Sequence, residues 1–166
     1  MLELLDRGTR SLDRDHYEPG HFTASAFVLS PDRSSLLLIY HGKLHRWLQP
    51  GGHFEPSDAD LECAARREVA EETGLTDLEL LALPLDLDIH TIPARRDQPE
   101  HAHLDVRLLF RSRKIAVRAG DDANDCRWLP LAEFDDDAIL GLSDESVQRA
   151  VRTIRRHLAG QPGENP

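Results

Sequence analysis

Residues 50–75 read PGGHFEPSDADLECAARREVAEETGL and place two adjacent glycines ahead of a helix-forming segment. Within that segment Glu68, Glu71 and Glu72 are three and four residues apart, so an α-helix brings their carboxylates to one face. Like charges at this spacing repel each other by roughly 0.2–0.5 kcal/mol per pair. Hard divalent cations such as Mg²⁺ and Mn²⁺ take oxygen ligands. The stretch therefore predicts a metal site that combines a glycine turn with one helix.

The same segment closely resembles the Nudix box, which is written G-x5-E-x7-R-E-U-x-E-E-x-G-U with U an aliphatic residue. Its second half is complete in residues 67–75, REVAEETGL. The first half departs from the pattern. Counting from Gly52, the seventh position is Asp58 rather than glutamate, and the interval to Arg67 is one residue longer. This departure predicts a slightly longer turn before the helix.

The resemblance implies an α/β fold, a Nudix-type α/β/α sandwich with a mixed β-sheet. It also implies a metal-dependent hydrolase that cleaves the diphosphate linkage of a nucleoside diphosphate joined to another group, with Mg²⁺ or Mn²⁺ as the cofactor. The expected metal ligands are Glu68, Glu71, Glu72 and the backbone carbonyl of Gly51. Arg67 precedes Glu71 by four residues and is expected to orient that carboxylate. Glu68, Arg67 and Glu71 are the catalytic candidates.

The general base is open between two places. Glu68 is the candidate within the box. Asp97 and Glu100 are the candidates outside it, because the proline-containing loop predicted over residues 91–100 could reach across the site. Ordinary solvated loop charges explain these two carboxylates as well.

Substrate-binding candidates precede the helix. Gly52 lets the backbone approach a ligand that a side chain would block. Lys43 and Arg46, together with His45, form a local cationic patch that suits a diphosphate, although a solvated hairpin tip explains them equally well.

Nine histidines are unusually many for this chain. His90, His101 and His103 fall on the polar faces of two alternating segments that could pair as a hairpin. They are compatible with hydrogen-bonded or solvated strand residues, with a wall that contacts phosphate or base, and with a second metal site, since imidazole plus carboxylate suits transition ions. His90 and His103 are the substrate-binding candidates. The neighbouring carboxylates are Asp86, Asp88 and Asp105.

Composition narrows the class of protein. The chain has 166 residues, 30 acidic and 20 basic, and a formal net charge of −10. Binding to a nucleic-acid polymer is disfavoured, because it depends on neutralising phosphates. Two cysteines suit a reducing cytosol. The first twenty residues lack a signal-peptide pattern, and no apolar run approaches the roughly 18 residues of a membrane span. We expect a soluble cytoplasmic protein with a small-molecule nucleoside-diphosphate substrate and no membrane partner.

Periodicity predicts the secondary structure. The box helix is expected to begin between Ser57 and Asp60 and to end at Gly74 in a left-handed cap. A second helix is expected from Ser143, as its cap, to Leu158, with an apolar face formed by Val147, Val151, Ile154 and Leu158. Strands are expected at residues 21–30, 35–41, 85–89, 101–110 and 126–129.

Alternation assigns the faces of two of these strands. In residues 85–89 the apolar Leu85, Leu87 and Ile89 alternate with aspartates and are expected to face the core. The strand over residues 101–110 is likewise expected to have one core face and one polar face.

The expected organisation is an N-terminal helical extension over residues 1–20, a Nudix hydrolase domain over 21–159 and a disordered tail over 160–166. Many Nudix proteins form dimers, so a homodimer is compatible with the resemblance. Two alternative functions share the fold: a non-catalytic nucleotide-binding module and an enzyme similar to isopentenyl-diphosphate isomerase. The latter uses an active-site cysteine, and neither Cys63 nor Cys126 lies in a matching context. The sequence does not select one nucleoside-diphosphate derivative as the substrate.

Overall fold

A computed structural model describes residues 8–42, 44–120, 125–135 and 145–160, which form a seven-stranded sheet with two α-helices. The strands are β1 (Gly20–Leu29), β2 (Ser35–His41), β3 (Arg46–Leu48), β4 (Gly51–His53), β5 (Leu78–Ile92), β6 (His101–Ser112) and β7 (Asp125–Pro130). The α-helices are α1 (Leu61–Thr73) and α2 (Glu145–Gly160), and 3₁₀ helices cover Gly8–Leu12 and Leu131–Asp135. Neither α-helix is long and apolar enough to cross a bilayer.

Parts of the predictions fall outside the described residues. Of the helical extension expected over residues 1–20, residues 1–7 lie outside, and the described remainder holds only the 3₁₀ helix and turns. Lys43, the expected cap Ser143 and tail residues 161–166 also lie outside.

The sheet is mixed. Strand β1 runs parallel to β6 over its full length, from the pair Gly20 and Ala102 to the pair Leu29 and Arg111. It pairs antiparallel with β2 and β4. Strand β5 pairs antiparallel with β6, and β3 and β7 pair antiparallel with β2. The hairpin expected between the two histidine-bearing strands is therefore confirmed.

The helices cover opposite faces of this sheet. Successive side chains of a strand point to opposite faces, so Ala26 and Val28 of β1 pack in a core with α1, while Phe27 and Leu29 pack in a core with α2. Helix α1 contributes Ala64, Ala65 and Val69, and α2 contributes Val147, Ala150, Val151 and Ile154. A mixed sheet between two helical layers confirms the predicted α/β/α sandwich.

Local signals set the ends of α1. The Asp60 side chain accepts a hydrogen bond from the Cys63 backbone N–H at 2.8 Å, which makes it the N-cap. Gly74 has φ = 73° and its N–H donates to the Ala70 carbonyl at 2.9 Å, which closes the helix in the left-handed cap that glycine favours. Both predicted ends are confirmed.

The glycine pair lies in a strand rather than a turn. Gly51, Gly52 and His53 form β4, which pairs with Ser25, Ala24 and Thr23 of β1, respectively. Pairing with the central strand of the sheet holds these residues extended, so the expected turn is wrong. Residues 91 and 92, expected in a loop, likewise continue β5 because they pair with β6.

Strand β5 turns its faces opposite to the prediction over residues 86–89, whereas Leu85 packs against the core as expected. Leu87 and Ile89, expected in the core, are 46% and 59% exposed. Asp86 and Asp88 point inward instead and form ion pairs with Arg107. The prediction is wrong for these two apolar residues, because alternation separates the faces of a strand without saying which one the rest of the fold covers. In β6, both faces are largely buried.

Candidate active site

Strand β4 lies directly against helix α1. The Gly51 backbone N–H donates a hydrogen bond to Glu72 Oε2 at 3.0 Å. A Cβ added at Gly52 would lie 2.7 Å from Cδ of Glu68 and overlap its carboxylate, and one at Gly51 would lie 2.7 Å from Cβ of Ser25. Real Cβ atoms do not approach other atoms so closely. Gly52 therefore leaves room for the Glu68 carboxylate, Gly51 leaves room for Ser25 of β1, and the Gly51 N–H binds Glu72.

Arg67 connects the turn before α1 to the glutamate face. Its Nη2 and Nε donate to Asp58 at 2.9 and 3.1 Å, and its Nη1 donates to Glu68 at 2.9 Å and Glu71 at 3.2 Å. Nη2 also donates to the His53 carbonyl at 2.8 Å. The geometry gives Asp58, whose role the motif left open, the task of holding the Arg67 guanidinium. Its side chain is only 5% exposed.

These contacts set the charge of the box. Burial raises the pKa of Glu68, and the Glu71 charge adds to that shift while hydrogen bonding from Arg67 opposes it. The Arg67 hydrogen bonds hold the pKa of Asp58 below its usual range, and Asp58 in turn raises the pKa of Arg67.

The donor set fits a hard divalent cation. Glu68 and Glu72 both lie against β4, and Glu71, whose side chain is 56% exposed, shares the Arg67 guanidinium with Glu68. Three carboxylates therefore converge, and oxygen ligands of this kind suit Mg²⁺ or Mn²⁺. In the structure the Gly51 N–H contacts Glu72, whereas the sequence pointed to the Gly51 carbonyl as a ligand.

A buried polar network extends from β1 across β6 to β5 and α2. Asp105, 2% exposed, accepts hydrogen bonds from Thr23 at 3.0 Å, Ser25 at 2.7 Å and Arg107 Nε at 2.8 Å. Arg107 also pairs with Asp86 and Asp88, the inward aspartates of β5, and both of these also pair with Arg149 of α2. The sequence reasoning singled out the aspartates but missed both arginines. The signal for Arg107 was its place on the same strand face as Asp105, two residues away.

The strand histidines gather at the other end of this polar face. His90 lies opposite His103 in the β5–β6 register, and their ring centroids are 5.4 Å apart. The structure adds His21 of β1 and His53 of β4, whose ring centroids lie 4.7 and 5.0 Å from that of His103. Sequence reasoning missed both, because only the pairing of β1 with β4 and β6 brings them there.

The imidazoles of His53 and His103 are neutral at neutral pH, because their pKa values are lowered. Burial, followed by repulsion from neighbouring histidines, lowers the pKa of His103 to about 3 and that of His53 to about 4. Burial also lowers the pKa of His21. His103 can therefore exchange hydrogen bonds with a ligand but adds no positive charge for a phosphate.

The remaining candidates that the structure describes lie at exposed positions. Arg46 is exposed at the start of β3, and Asp97 and Glu100 are exposed in the connection between β5 and β6. The roles suggested for them stay predictions, and Lys43 is outside the described residues.

A family model described as the NUDIX domain matches residues 19–150, which is most of the chain. The chain belongs to the Nudix family. The match runs from the residue before β1 into the first turns of α2, so it includes the whole sheet and the box helix. The family predicted from the box is confirmed.

Similar structures agree on the fold. A hydrolase of the Nudix family from Clostridium perfringens is 20% identical with a TM-score of 0.65, and the alignment covers 82% of this chain and 97% of that one. A C. elegans Ap4A hydrolase, in a binary complex, is 20% identical with a TM-score of 0.62 and 84% and 98% coverage.

One curated relative matches more locally. The asymmetrical bis(5'-nucleosyl)-tetraphosphatase of Rattus norvegicus is 44% identical over 48 residues, which is 29% of this Nudix chain. The match spans about a third of the length of that relative, 32%.

Proposed function

We propose that the protein is a metal-dependent hydrolase that cleaves the diphosphate linkage of a nucleoside diphosphate joined to another group. The observation that carries this proposal is the contact of strand β4 with helix α1, which holds Glu72 on the Gly51 N–H and Glu68 against Gly52. A helix that served only for packing has no need of carboxylates held against two glycines of a neighbouring strand. Family membership supports the same reaction class.

Each box residue has a role that its contacts support. Glu68, Glu71 and Glu72 would hold Mg²⁺ or Mn²⁺, and the bound ion would neutralise charge that develops on the phosphoryl oxygens. Arg67 fixes the positions of Glu68 and Glu71 through its hydrogen bonds. Glu68 is the base candidate that lies at the centre of these contacts, and Asp97 and Glu100 are its alternatives.

The substrate class is a small nucleotide. Dinucleoside polyphosphates are the first compounds to test, because the local relative is named a tetraphosphatase and one similar structure an Ap4A hydrolase. Gly52, Arg46, Lys43, His90 and His103 remain the candidates for contacting it. We also propose that the protein forms a homodimer.

A non-catalytic nucleotide-binding module is the alternative from another class. It would bind the same compounds without turnover. The isomerase alternative needs a reactive cysteine, and it is disfavoured because burial raises the pKa of Cys126 and so lowers its thiolate fraction. Cys63 is exposed in the first turn of α1.

The deciding experiment is a phosphate-release screen with Mg²⁺ and Mn²⁺ over nucleoside-diphosphate compounds, run on the wild type and Glu72→Gln with an added phosphatase. The phosphatase is needed because hydrolysis of the diphosphate linkage leaves two terminal phosphate groups and no inorganic phosphate. We expect the wild type to cleave at least one compound and a chelator to abolish cleavage. Glu72→Gln should lower turnover on the order of 100-fold, about 2.7 kcal/mol of barrier, because it deletes charge with little volume.

The matched control is Glu62→Gln on the same helix. Glu62 pairs with Arg66 at 2.7 Å, away from the box contacts, and its substitution should leave turnover unchanged. Equal turnover in Glu72→Gln and the wild type would refute the metal assignment. Calorimetric binding of a panel nucleotide without cleavage of its diphosphate linkage would instead establish the binding module.

A further inference from the structure

Three histidines from two parallel strands form a cluster outside the box. His21 lies on β1, and His101 and His103 lie on β6, where His21 and His103 are register partners. One ring nitrogen from each lies within 4.8 Å of the other two. His21 and His101 are 0% and 5% exposed. We call these three residues the histidine cluster.

Backbone carbonyls fix the tautomers of two members. His21 Nδ1 lies 3.1 Å from the His16 carbonyl, and His101 Nδ1 lies 2.8 Å from the Pro99 carbonyl. A carbonyl only accepts, so each Nδ1 carries the proton, and in the neutral ring each Nε2 carries a lone pair. Metal-binding histidines are oriented by such contacts of the other ring nitrogen.

One of these lone pairs is unused. His21 Nε2 is buried and has no hydrogen-bond partner among the described residues. Leaving a buried acceptor unpaired is unfavourable, and a stack of neutral rings does not correct it. A ligand for the cluster must therefore donate a proton or accept an electron pair, which excludes groups that only accept hydrogen bonds, such as phosphate dianion oxygens. Three ring nitrogens within 4.8 Å of one another can be satisfied together by a single metal ion.

We propose that the histidine cluster binds one transition-metal ion of the zinc class, separate from the Mg²⁺ or Mn²⁺ of the box. Nitrogen donors suit Zn²⁺ and its neighbours, whereas Mg²⁺ prefers oxygen. A tetrahedral ion would hold the nitrogens about 3.3 Å apart, so the rings close in slightly on loading. His53 Nε2, 3.4 Å from His103 Nε2, is within reach as a fourth ligand.

The test uses Co²⁺ and Zn²⁺ on the full chain in the presence of excess Mg²⁺. The wild type should bind one equivalent of Co²⁺ with the intense visible absorption of a tetrahedral site, and Zn²⁺ should displace it. His103→Gln should weaken binding by more than about 100-fold, because loss of a ligand exceeds the 10–100-fold effect of losing a supporting contact.

Two matched variants locate the ion. His90→Gln removes an exposed histidine that lies opposite His103 in the sheet, and Glu72→Gln alters the box; both should keep the Co²⁺ spectrum and affinity. Loss of binding in His90→Gln to the same extent would indicate adventitious surface binding, and loss in Glu72→Gln would place the ion in the box. Either result overturns the proposal, as does a wild type without the absorption band.

A measurement on the wild type alone covers the case in which His103→Gln does not fold. X-ray absorption at the zinc edge of the loaded protein should show at least three imidazole ligands. A shell made of carboxylate and water oxygens would overturn the proposal.

Discussion

Asp58 shows how one side chain can organise a site from outside its catalytic face. It stands where the motif has glutamate and is shorter by one methylene, yet it accepts from both Nε and Nη2 of Arg67. It also accepts from the Glu55 backbone N–H at 2.8 Å. The extra residue between Asp58 and Arg67 is thus accommodated in the turn, and the guanidinium remains held.

We expect Asp58→Asn to lower the free energy of unfolding by about 1–3 kcal/mol at pH 7, because a buried charge-assisted pair loses its acceptor charge. The folded-state pKa of Asp58 lies below its unfolded value of about 3.9. The contribution of the Asp58 charge to the free energy of unfolding is therefore complete above pH ~4 and is lost as the pH falls through the folded-state pKa. Urea unfolding of both proteins at pH 7 and pH 3 measures the difference.

Glu55→Gln is the control for that comparison. Glu55 Oε2 lies 3.9 Å from Arg67 Nε, but the Glu55 side chain is 56% exposed. Loss of its charge should therefore change the free energy of unfolding little. A difference between wild type and Asp58→Asn that stayed constant down to pH 3 would contradict the assignment of the stabilising charge to Asp58.

At the scale of elements, the site depends on how closely β4 approaches α1. The contact needs glycine at position 52, because any side chain there would occupy the volume of the Glu68 carboxylate. The requirement belongs to neither element alone. It follows from the antiparallel pairing of β4 with β1, on which α1 also packs.

Gly52→Ala should therefore displace the Glu68 carboxylate and lower kcat by about tenfold or more, which is ~1.4 kcal/mol of barrier. The fold should remain, since the clash is with the end of a flexible side chain. Steady-state kinetics and thermal unfolding measure the two effects. Gly160→Ala, with nothing within 4 Å of the added Cβ, should change neither, and a Gly52→Ala enzyme with wild-type kcat would show that the contact is dispensable.

At the scale of the whole molecule, one buried arginine joins three parts of the fold. Arg107 of β6 is 2% exposed, and its Nη2 donates hydrogen bonds to Asp88 Oδ2 of β5 at 3.1 Å and to Ser146 Oγ of α2 at 3.1 Å. Asp105 completes its partners within β6. The network lies between the box side of the sheet and the C-terminal helix.

Arg107→Met should cost about 3–5 kcal/mol of unfolding free energy, because it leaves buried aspartates without their counter-charge. Arg149→Met is the control. Arg149 pairs with Asp88 at 2.6 Å, but its side chain is 44% exposed, so its loss should cost about 0–1 kcal/mol. Denaturant unfolding separates these values, and equal losses would refute the central role of Arg107.

Much of the fold and part of the site were predictable from local patterns. The Asp60 and Gly74 caps, the limits of β2 and the apolar face of α2 depend on residues a few positions apart, and the structure has them as expected. The convergence of the box glutamates is equally local, since it follows from helical periodicity.

Long-range pairing decided the rest. Thr23 and Asp105 are 82 residues apart in sequence yet share a hydrogen bond, and the same parallel pairing of β1 with β6 brings His21 to His103. Pairing also decided that β4 is a strand and that β5 buries its aspartates instead of Leu87 and Ile89. The sequence by itself determined the family, the helix ends and the carboxylate face, because each of these depends on residues that are close together in the sequence. Only the tertiary structure decided the histidine cluster and the buried ion pairs, because strand order and the covered face depend on contacts between distant segments.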